Sequence, residues 1–587
     1  MQPNETADYI PPTAALGRLD PLLHAWIARR TGSLSPASVG MAVADWWLHL
    51  AFSPDKQAEL TLLALRQSDA LSRYLAAHLC PAPAECGHDL VEPPAADRRF
   101  AAPQWQKWPF SLWHQSFLLA QTWWQSATTG LRGVERHHEA VVSFAARQWL
   151  DLCSPGNLPA TNPIVLQRTV ERHGLNLLAG AMNALEDWHR HLAELPPAGA
   201  DRFQVGRDVA VSPGKVVRRN RLIELIQYSP ATGTVHPEPV LIVPAWIMKY
   251  YVLDLSPHNS LVRYLVSQGY TVFCISWKNP GTAERDLGMD DYLELGIGAA
   301  LAAVAAIVPG RRIHAAGYCL GGTLLSIAAA AMARDGDARL ATLSLLTAQT
   351  DFSEPGELGL FIDESQVCLL EAQMAQTGYL SAAQMAGAFQ MLRSYDLLWS
   401  RLVNVYLLGE RRPMNDLMAW NADATRMPAR MHAEYLRRLF LDNDLSSGRY
   451  PVGGRPVALS ELRLPMFAVG TLADHVAPWR SAYKLHYLST AEITFVLTSG
   501  GHNAGIVSEP GRAGRYYRIQ THPAGGAYMA PDEWERRAPR REGSWWPQWA
   551  RWLRARSGRR GPPPAMGAPE AGYRPLCDAP GRYVREK

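Results

Sequence analysis

The chain has 587 residues, 47% of them hydrophobic and 19% charged, enough for a large buried core and several folding units. Its 58 basic residues nearly balance 54 acidic ones, a formal net charge of +4, so no strong single-sign field points to nucleic acid or an anionic surface. The cysteines, Cys80, Cys86, Cys153, Cys274, Cys319, Cys368 and Cys577, contain no Cys-x-x-Cys and no paired framework, which favours a reducing compartment. The first residues are acidic and lack an apolar core, so they do not read as a signal peptide. The longest apolar stretch, residues 297–308, falls well short of the about twenty residues that cross a membrane. A cytoplasmic protein is expected, with no transmembrane segment and no nucleic acid partner. The basic run from Arg551 to Arg560 reads as a solvated helix end and linker.

In chain order, residues 60–79, 116–147 and 166–192 carry apolar side chains at helical spacing. Breaks fall at Pro81 and Pro83, at Pro93 and Pro94, and in a turn over residues 153–159. Residues 1–203 are therefore expected to form a helical N-terminal domain. Residues 204–211, 215–218 and 222–228 alternate like a β-meander. Strands are then predicted at 240–243, 271–276, 313–316 and 341–346, with helices at 259–268, 290–308 and 323–332 between and after them. That alternation argues for a mostly parallel sheet with helices on both faces. Residues 351–444 interrupt it with a helical, Met- and Leu-rich insertion, expected as a cap over the C-terminal edge. Strands resume at 466–469 and 493–497, and a Trp- and Pro-rich tail holds a helix near 546–553.

The chemistry centres on Gly317-Tyr318-Cys319-Leu320-Gly321-Gly322, which follows a short apolar strand and precedes an Ala-rich helix. This is a nucleophile elbow with cysteine in place of serine: the glycines admit a turn too sharp for neighbouring Cβ atoms, and Cys319 sits at a helix N-terminus that favours a thiolate. Downstream, one strand leads to Asp474 and another to a glycine turn and His502. The order nucleophile, acid, histidine is that of the α/β-hydrolase fold. The expected class is thus α/β: an α/β-hydrolase catalytic domain over residues 204–587, with the cap at about 351–444 and the helical N-terminal domain before it.

In this reading His502 takes the Cys319 proton and Asp474 holds the imidazole tautomer. The Leu320 N–H forms one half of an oxyanion hole, and the N–H of Ile247 or Trp246 the other. His475, beside Asp474, is the competing base, and with Tyr318 it is expected to line the substrate pocket. His137, His138, His189 and His191 show no metal-ligand spacing, and no phosphate-binding glycine loop appears, so neither metal nor cofactor is expected. Cysteine at the elbow suits acyl transfer from one thioester to an alcohol, because the acyl-enzyme keeps the thioester's activation. A hydrolase of esters or thioesters, and a non-catalytic scaffold on a hydrolase fold, are the alternatives.

The chain resembles the class I polyhydroxyalkanoate synthases. The resemblance rests on the Gly317 to Gly322 box; on Pro244-Ala245-Trp246-Ile247-Met248-Lys249-Tyr250-Tyr251; on Ser276-Trp277-Lys278-Asn279-Pro280; on Gly470-Thr471-Leu472-Ala473-Asp474-His475-Val476-Ala477-Pro478-Trp479; and on Ser499-Gly500-Gly501-His502-Asn503-Ala504-Gly505. It extends to Asp97-Arg98-Arg99-Phe100, Thr161-Asn162-Pro163 and Asn415-Asp416-Leu417-Met418-Ala419-Trp420-Asn421. It implies that Cys319 is acylated by an (R)-3-hydroxyacyl-CoA, such as 3-hydroxybutyryl-CoA, and that CoA leaves as a growing polyester chain is extended. His502 is then the base and Asp474 the third member; either of them activates the substrate hydroxyl. It further implies a homodimer on the polyester granule surface, partnered by granule-associated proteins, and a cap whose moving end is residues 351–363. Thr323, Asn503 and Ser508 depart from the family pattern, and the bulk of Tyr318, Leu320 and Trp246 favours short monomers.

Overall fold

The computed structural model describes residues 19–79, 90–93, 97–392 and 398–587. The first residues of the chain, Cys80, Cys86, Pro81, Pro83 and Pro94 lie outside these. Contacts divide the chain into two compact units: residues 1–33, 199–386 and 414–587 form the first, and 34–198 with 387–413 the second.

The first unit is built on an eleven-stranded sheet. Its strands are β1 (Gly214–Arg219), β2 (Ile223–Tyr228), β3 (Val240–Val243), β4 (Val272–Trp277), β5 (Ile313–Tyr318), β6 (Leu340–Leu346), β7 (Met466–Thr471), β8 (Ile493–Thr498), β9 (Tyr516–His522), β10 (Arg540–Glu542) and β11 (Cys577–Asp578). Their spatial order is β10-β9-β8-β7-β6-β5-β3-β4-β2-β1-β11. The six central strands, β3 to β8, pair in parallel. Every residue in them is buried, because helices cover both faces, and so their sequences read as continuous apolar runs. This is the α/β-hydrolase architecture. Antiparallel strands extend it at both edges: β2, β1 and β11 beyond β4, and β9 and β10 beyond β8.

Two details differ from the sequence reading. Residues 204–211 form no strand beyond an isolated bridge from Val205 to Val209, since Gly206 at φ 86° and Ala210 at φ 54° bend the backbone out of the extended region. The tail contributes strands β9, where buried Tyr517 and Ile519 alternate with half-buried Tyr516, Arg518 and Gln520, and β10, an exposed edge strand of three charged residues.

The tail also fills the core. Trp545, Trp546 and Trp549, at the start of the helix Trp546–Arg554, are fully buried, and each indole N–H finds an acceptor: Gly505 O at 3.1 Å, Ile506 O at 2.9 Å and Ser344 Oγ at 3.0 Å.

The second unit is helical. The expected helix at 116–147 is two, Phe110–Thr128 and Arg136–Leu152, parted where Gly130 and Gly133 take positive φ. The stretch at 166–192 likewise splits into Pro163–Glu171 and Leu175–Leu192 at a left-handed Gly174. The insertion is shared between the units, so the chain is parted differently from a cut at residue 203. Residues 402–407 pack on the helix Leu175–Leu192, where Asn176 Nδ2 donates to Leu407 O at 2.9 Å and Asn183 Nδ2 to Val405 O at 3.1 Å. Among the described residues, no helix is long and apolar enough to cross a membrane.

Candidate active site

Cys319 sits between β5 and the helix Leu320–Arg334, at φ 53° and ψ −128°. A non-glycine residue holds such a conformation only where its surroundings over-determine it. Here its N–H is bonded to Leu346 O of β6 at 2.9 Å, and its carbonyl accepts from Gly322 N–H at 2.8 Å. The glycines are sterically required. A Cβ on Gly317 would lie 2.4 Å from the Gly322 Cα, and one on Gly321 would lie 2.2 Å from the Val243 carbonyl oxygen. The second contact shows that the elbow helix presses directly on the end of β3, which brings Leu320 beside the loop carrying Trp246 and Ile247.

Asp474 and His502 follow β7 and β8, the parallel strands next to β6. The Asp474 side chain is fully buried and receives four donors: His502 Nδ1 at 2.8 Å, Thr471 Oγ1 at 3.1 Å, Val476 N–H at 2.9 Å and Ala477 N–H at 2.8 Å. Burial alone would raise its carboxyl, yet the His502 charge and these hydrogen bonds hold it below the usual carboxylate range. A carboxylate can only accept, so Nδ1 carries a proton and the other ring nitrogen is left free of Asp474. Burial would push the imidazolium down, but the Asp474 and Cys319 charges and the hydrogen bond to Asp474 hold it well above the usual histidine range. The arrangement sets a buried elbow cysteine near an imidazole whose charge is stabilised from behind by Asp474.

Leu320 is the first residue of its helix, where an N–H has no intrahelical acceptor. Trp246 is buried, its ring 5.5 Å from that of Tyr292 and 6.2 Å from that of Tyr435. Among the described residues, neither the Leu320 N–H nor the Ile247 N–H meets a backbone acceptor.

Tyr318 and His475 part company. Tyr318 is buried, its ring centroid 5.7 Å from that of His502. His475 is exposed; its carbonyl accepts from the Glu357 N–H at 3.3 Å, while no hydrogen bond among the described residues ties its imidazole to Cys319.

Three residues of the insertion reach the site without any signal in the sequence pattern. Thr425 donates its hydroxyl to Trp246 O at 2.6 Å and its N–H to Ile247 O at 3.2 Å. Asn421 accepts from Asn503 Nδ2 at 3.2 Å. Tyr435 is buried, and the neighbouring Cys319 charge adds to burial in keeping its phenol protonated. Their local sequence reads as ordinary helix and turn, and only the folding of the insertion onto the sheet edge brings them here. Among the described residues, no group of three or more His, Cys, Asp or Glu side chains could hold a metal ion.

Comparison with known proteins agrees with this architecture. Residues 96–265 match the family described as poly-beta-hydroxybutyrate polymerase (PhaC) N-terminus, residues 14–56 its N-terminal segment, and residues 238–509 the alpha/beta hydrolase fold. The chain is 41% identical over 503 residues to a poly(3-hydroxyalkanoate) polymerase of Methylorubrum extorquens, covering 85% of this chain and 82% of that one. It is 38% identical to the corresponding PhaC subunit of Rhizobium meliloti (85% and 81% covered) and 37% identical to that of Cupriavidus necator (84% of each chain covered).

Proposed function

The chain belongs to the poly(3-hydroxyalkanoate) polymerase family, acyl-transferring synthases on an α/β-hydrolase domain, and from that premise we propose that it polymerises (R)-3-hydroxyacyl-CoA, with 3-hydroxybutyryl-CoA as the monomer, through an acyl group carried on Cys319. The observation that carries this reading is the imidazole of His502, hydrogen-bonded to buried Asp474 at 2.8 Å and close enough to the elbow cysteine for the Cys319 charge to raise it.

Acylation begins as His502 takes the thiol proton and the sulfur attacks the thioester carbonyl carbon. The negative oxygen of the tetrahedral intermediate faces the N–H groups of Leu320 and Ile247. When the bond to CoA breaks, His502 returns the proton to the departing sulfur and CoA leaves as a thiol. The hydroxyl of a bound acyl group or chain end then gives its proton to the base, attacks the thioester, and forms an oxyester as the cysteine thiol is regenerated. Thioester exchange at Cys319 is nearly balanced and oxyester formation runs downhill, so a cysteine retains the activation that a serine would lose to a stable ester. No cofactor is required, since CoA arrives with the substrate.

The burial of Cys319, and of Trp246 and Tyr435, whose rings lie 6.2 Å apart, supports short side chains on the monomer. A homodimer at the surface of a cytoplasmic polyester granule, in company with granule-associated proteins, completes the reading. The deciding experiment incubates the purified protein with (R)-3-hydroxybutyryl-CoA while free thiol and product mass are followed together. Thiol release with high-mass polyester is expected. Release of free 3-hydroxybutyrate alone would make the protein a thioesterase, and no release at any acyl length would leave it a scaffold.

A further inference from the structure

His502 lies on a loop tethered from behind. Arg515 donates to the carbonyls of Ser499 (3.2 Å) and Ala504 (2.8 Å), and the indoles of Trp545 and Trp546 hold those of Gly505 and Ile506. On the side of the cleft the tether is different. The Tyr318 hydroxyl, one residue before Cys319, donates to Asn503 Oδ1 at 2.5 Å, and Asn503 Nδ2 donates onward to Asn421 Oδ1 at 3.2 Å. Asn503 directly follows His502, so a three-residue hydrogen-bonded chain spans elbow, base loop and insertion.

The insertion end of this chain does not stop at Asn421. The strip that follows runs along the loop after β3: Thr425 binds the Trp246 and Ile247 carbonyls, Met248 forms an antiparallel bridge with Ala424, and Tyr251 Oη donates to Asp423 at 2.9 Å. Residues 421–425 thus touch both the loop that carries His502 and the loop that carries the Ile247 N–H. Burial, together with the charges of Cys319 and Asp474, keeps the Tyr318 phenol protonated and therefore a donor.

We propose that Tyr318, Asn503 and Asn421 are positioning residues that lock the His502 imidazole against Cys319 and couple its alignment to the docking of residues 421–425. The proposal rests on the Cys319–His502 reading above. Their hydrogen bonds run among themselves and not to the Cys319 sulfur or the His502 ring nitrogens. They narrow the directions in which the imidazole can lie, and misplacement of a catalytic group by as little as about 1 Å costs large factors in rate.

The test uses the full chain with Tyr318→Phe, Asn503→Ala, the double variant, Asn421→Ala and His502→Ala. Three quantities are read: kcat and KM for CoA release from (R)-3-hydroxybutyryl-CoA, the pH profile of iodoacetamide labelling at Cys319 located by peptide mass, and the thermal midpoint. Tyr318→Phe and Asn503→Ala are each expected to lower kcat about tenfold with little change in KM, and to move the midpoint of the labelling profile. The double variant should be no worse than the poorer single, as expected of two residues in one chain. Asn421→Ala should lower kcat less and add nothing to Asn503→Ala. Thermal midpoints should stay close to that of the parent, since Asn503 is only half-buried and water can replace its partners.

An unmoved labelling profile in Tyr318→Phe and Asn503→Ala, or fully additive losses, would overturn the proposal. A His502→Ala profile identical to the parent's is a separate result: it would remove the Cys319–His502 pair itself, leaving the chain nothing to position.

Discussion

Thr425 grips Trp246 through the backbone: its hydroxyl donates to the Trp246 carbonyl at 2.6 Å. In a trans peptide the carbonyl and the following N–H point in opposite directions, so a carbonyl fixed toward Thr425 turns the Ile247 N–H away from it. A residue of the insertion therefore orients a candidate oxyanion donor without touching the substrate. Thr425→Val keeps the shape and removes the hydroxyl. We expect kcat to fall about tenfold with KM nearly unchanged, and stability to drop by about 1–3 kcal/mol from the unpaired buried carbonyl. Steady-state CoA release and urea unfolding measure both, and a parent-like kcat would remove Thr425 from the alignment of this loop.

Cys319→Ala should abolish CoA release while the fold persists, since the change removes one buried sulfur atom and keeps the backbone hydrogen bonds to Leu346 O and from Gly322 N–H. Asp474→Asn should lower kcat by about a hundredfold or more, because an amide cannot accept from His502 Nδ1 and from two backbone N–H groups as a carboxylate does. Thiol titration of released CoA measures each; turnover of Cys319→Ala above a few per cent of the parent would sink the covalent route.

Two glycines make opposite forecasts. Gly321→Ala drives a methyl to 2.2 Å from the Val243 carbonyl oxygen and should abolish activity together with a large loss of stability. Gly40→Ala, in the helix Pro36–Ala51 with nothing within 4 Å of the added Cβ, should stabilise by about 0.5–1 kcal/mol and leave turnover intact. Thermal unfolding of the pair decides whether crowding at the elbow is as severe as the geometry requires.

The pH dependence of stability carries a signature of the Asp474–His502 pair. Burial opposes the His502 charge, but Asp474 and Cys319 raise the imidazole well above its ordinary value, so its contribution to folding is complete below the unfolded value of 6.5 and is lost as pH rises towards the folded one. Asp474 is lowered despite its burial, so its contribution is present above 3.8 and is lost as pH falls through its depressed folded value. Denaturation of the parent and of His502→Gln at pH 6 and pH 9 should therefore show a stability gap that narrows at the higher pH. A gap of constant size would mean that His502 is not charged in the folded protein.

Trp545→Phe tests the rear support of the base loop. The indole is fully buried and donates to Gly505 O at 3.1 Å, so the variant loses one hydrogen bond and strands one acceptor. A loss of about 1–3 kcal/mol in stability is expected, with a fall in kcat that exceeds any change in KM. Urea midpoints beside kinetics check it, and unchanged kinetics would confine Trp545 to the core.

Much of the molecule was legible in one dimension because its signals are local. Burial on both faces writes β3 to β8 as apolar runs, the crowded turn at Cys319 demands glycines at fixed spacing, and loops after consecutive strands place Asp474 and His502 in order. What resisted reading were long-range pairings. The tail strands β9 and β10 are held by edge hydrogen bonds that any alternating stretch could make, and the grip of Thr425 on Trp246 joins residues far apart in the chain. So does the link from Tyr318 through Asn503 to Asn421. The sequence by itself determined the fold and the order in which Cys319, Asp474 and His502 follow its strands, since each depends on the chemistry and sterics of a few adjacent residues. Only the tertiary structure decided that His475 faces solvent while His502 meets Cys319, and that the insertion supplies Thr425, Asn421 and Tyr435, because those outcomes depend on which distant surfaces the folded chain brings together.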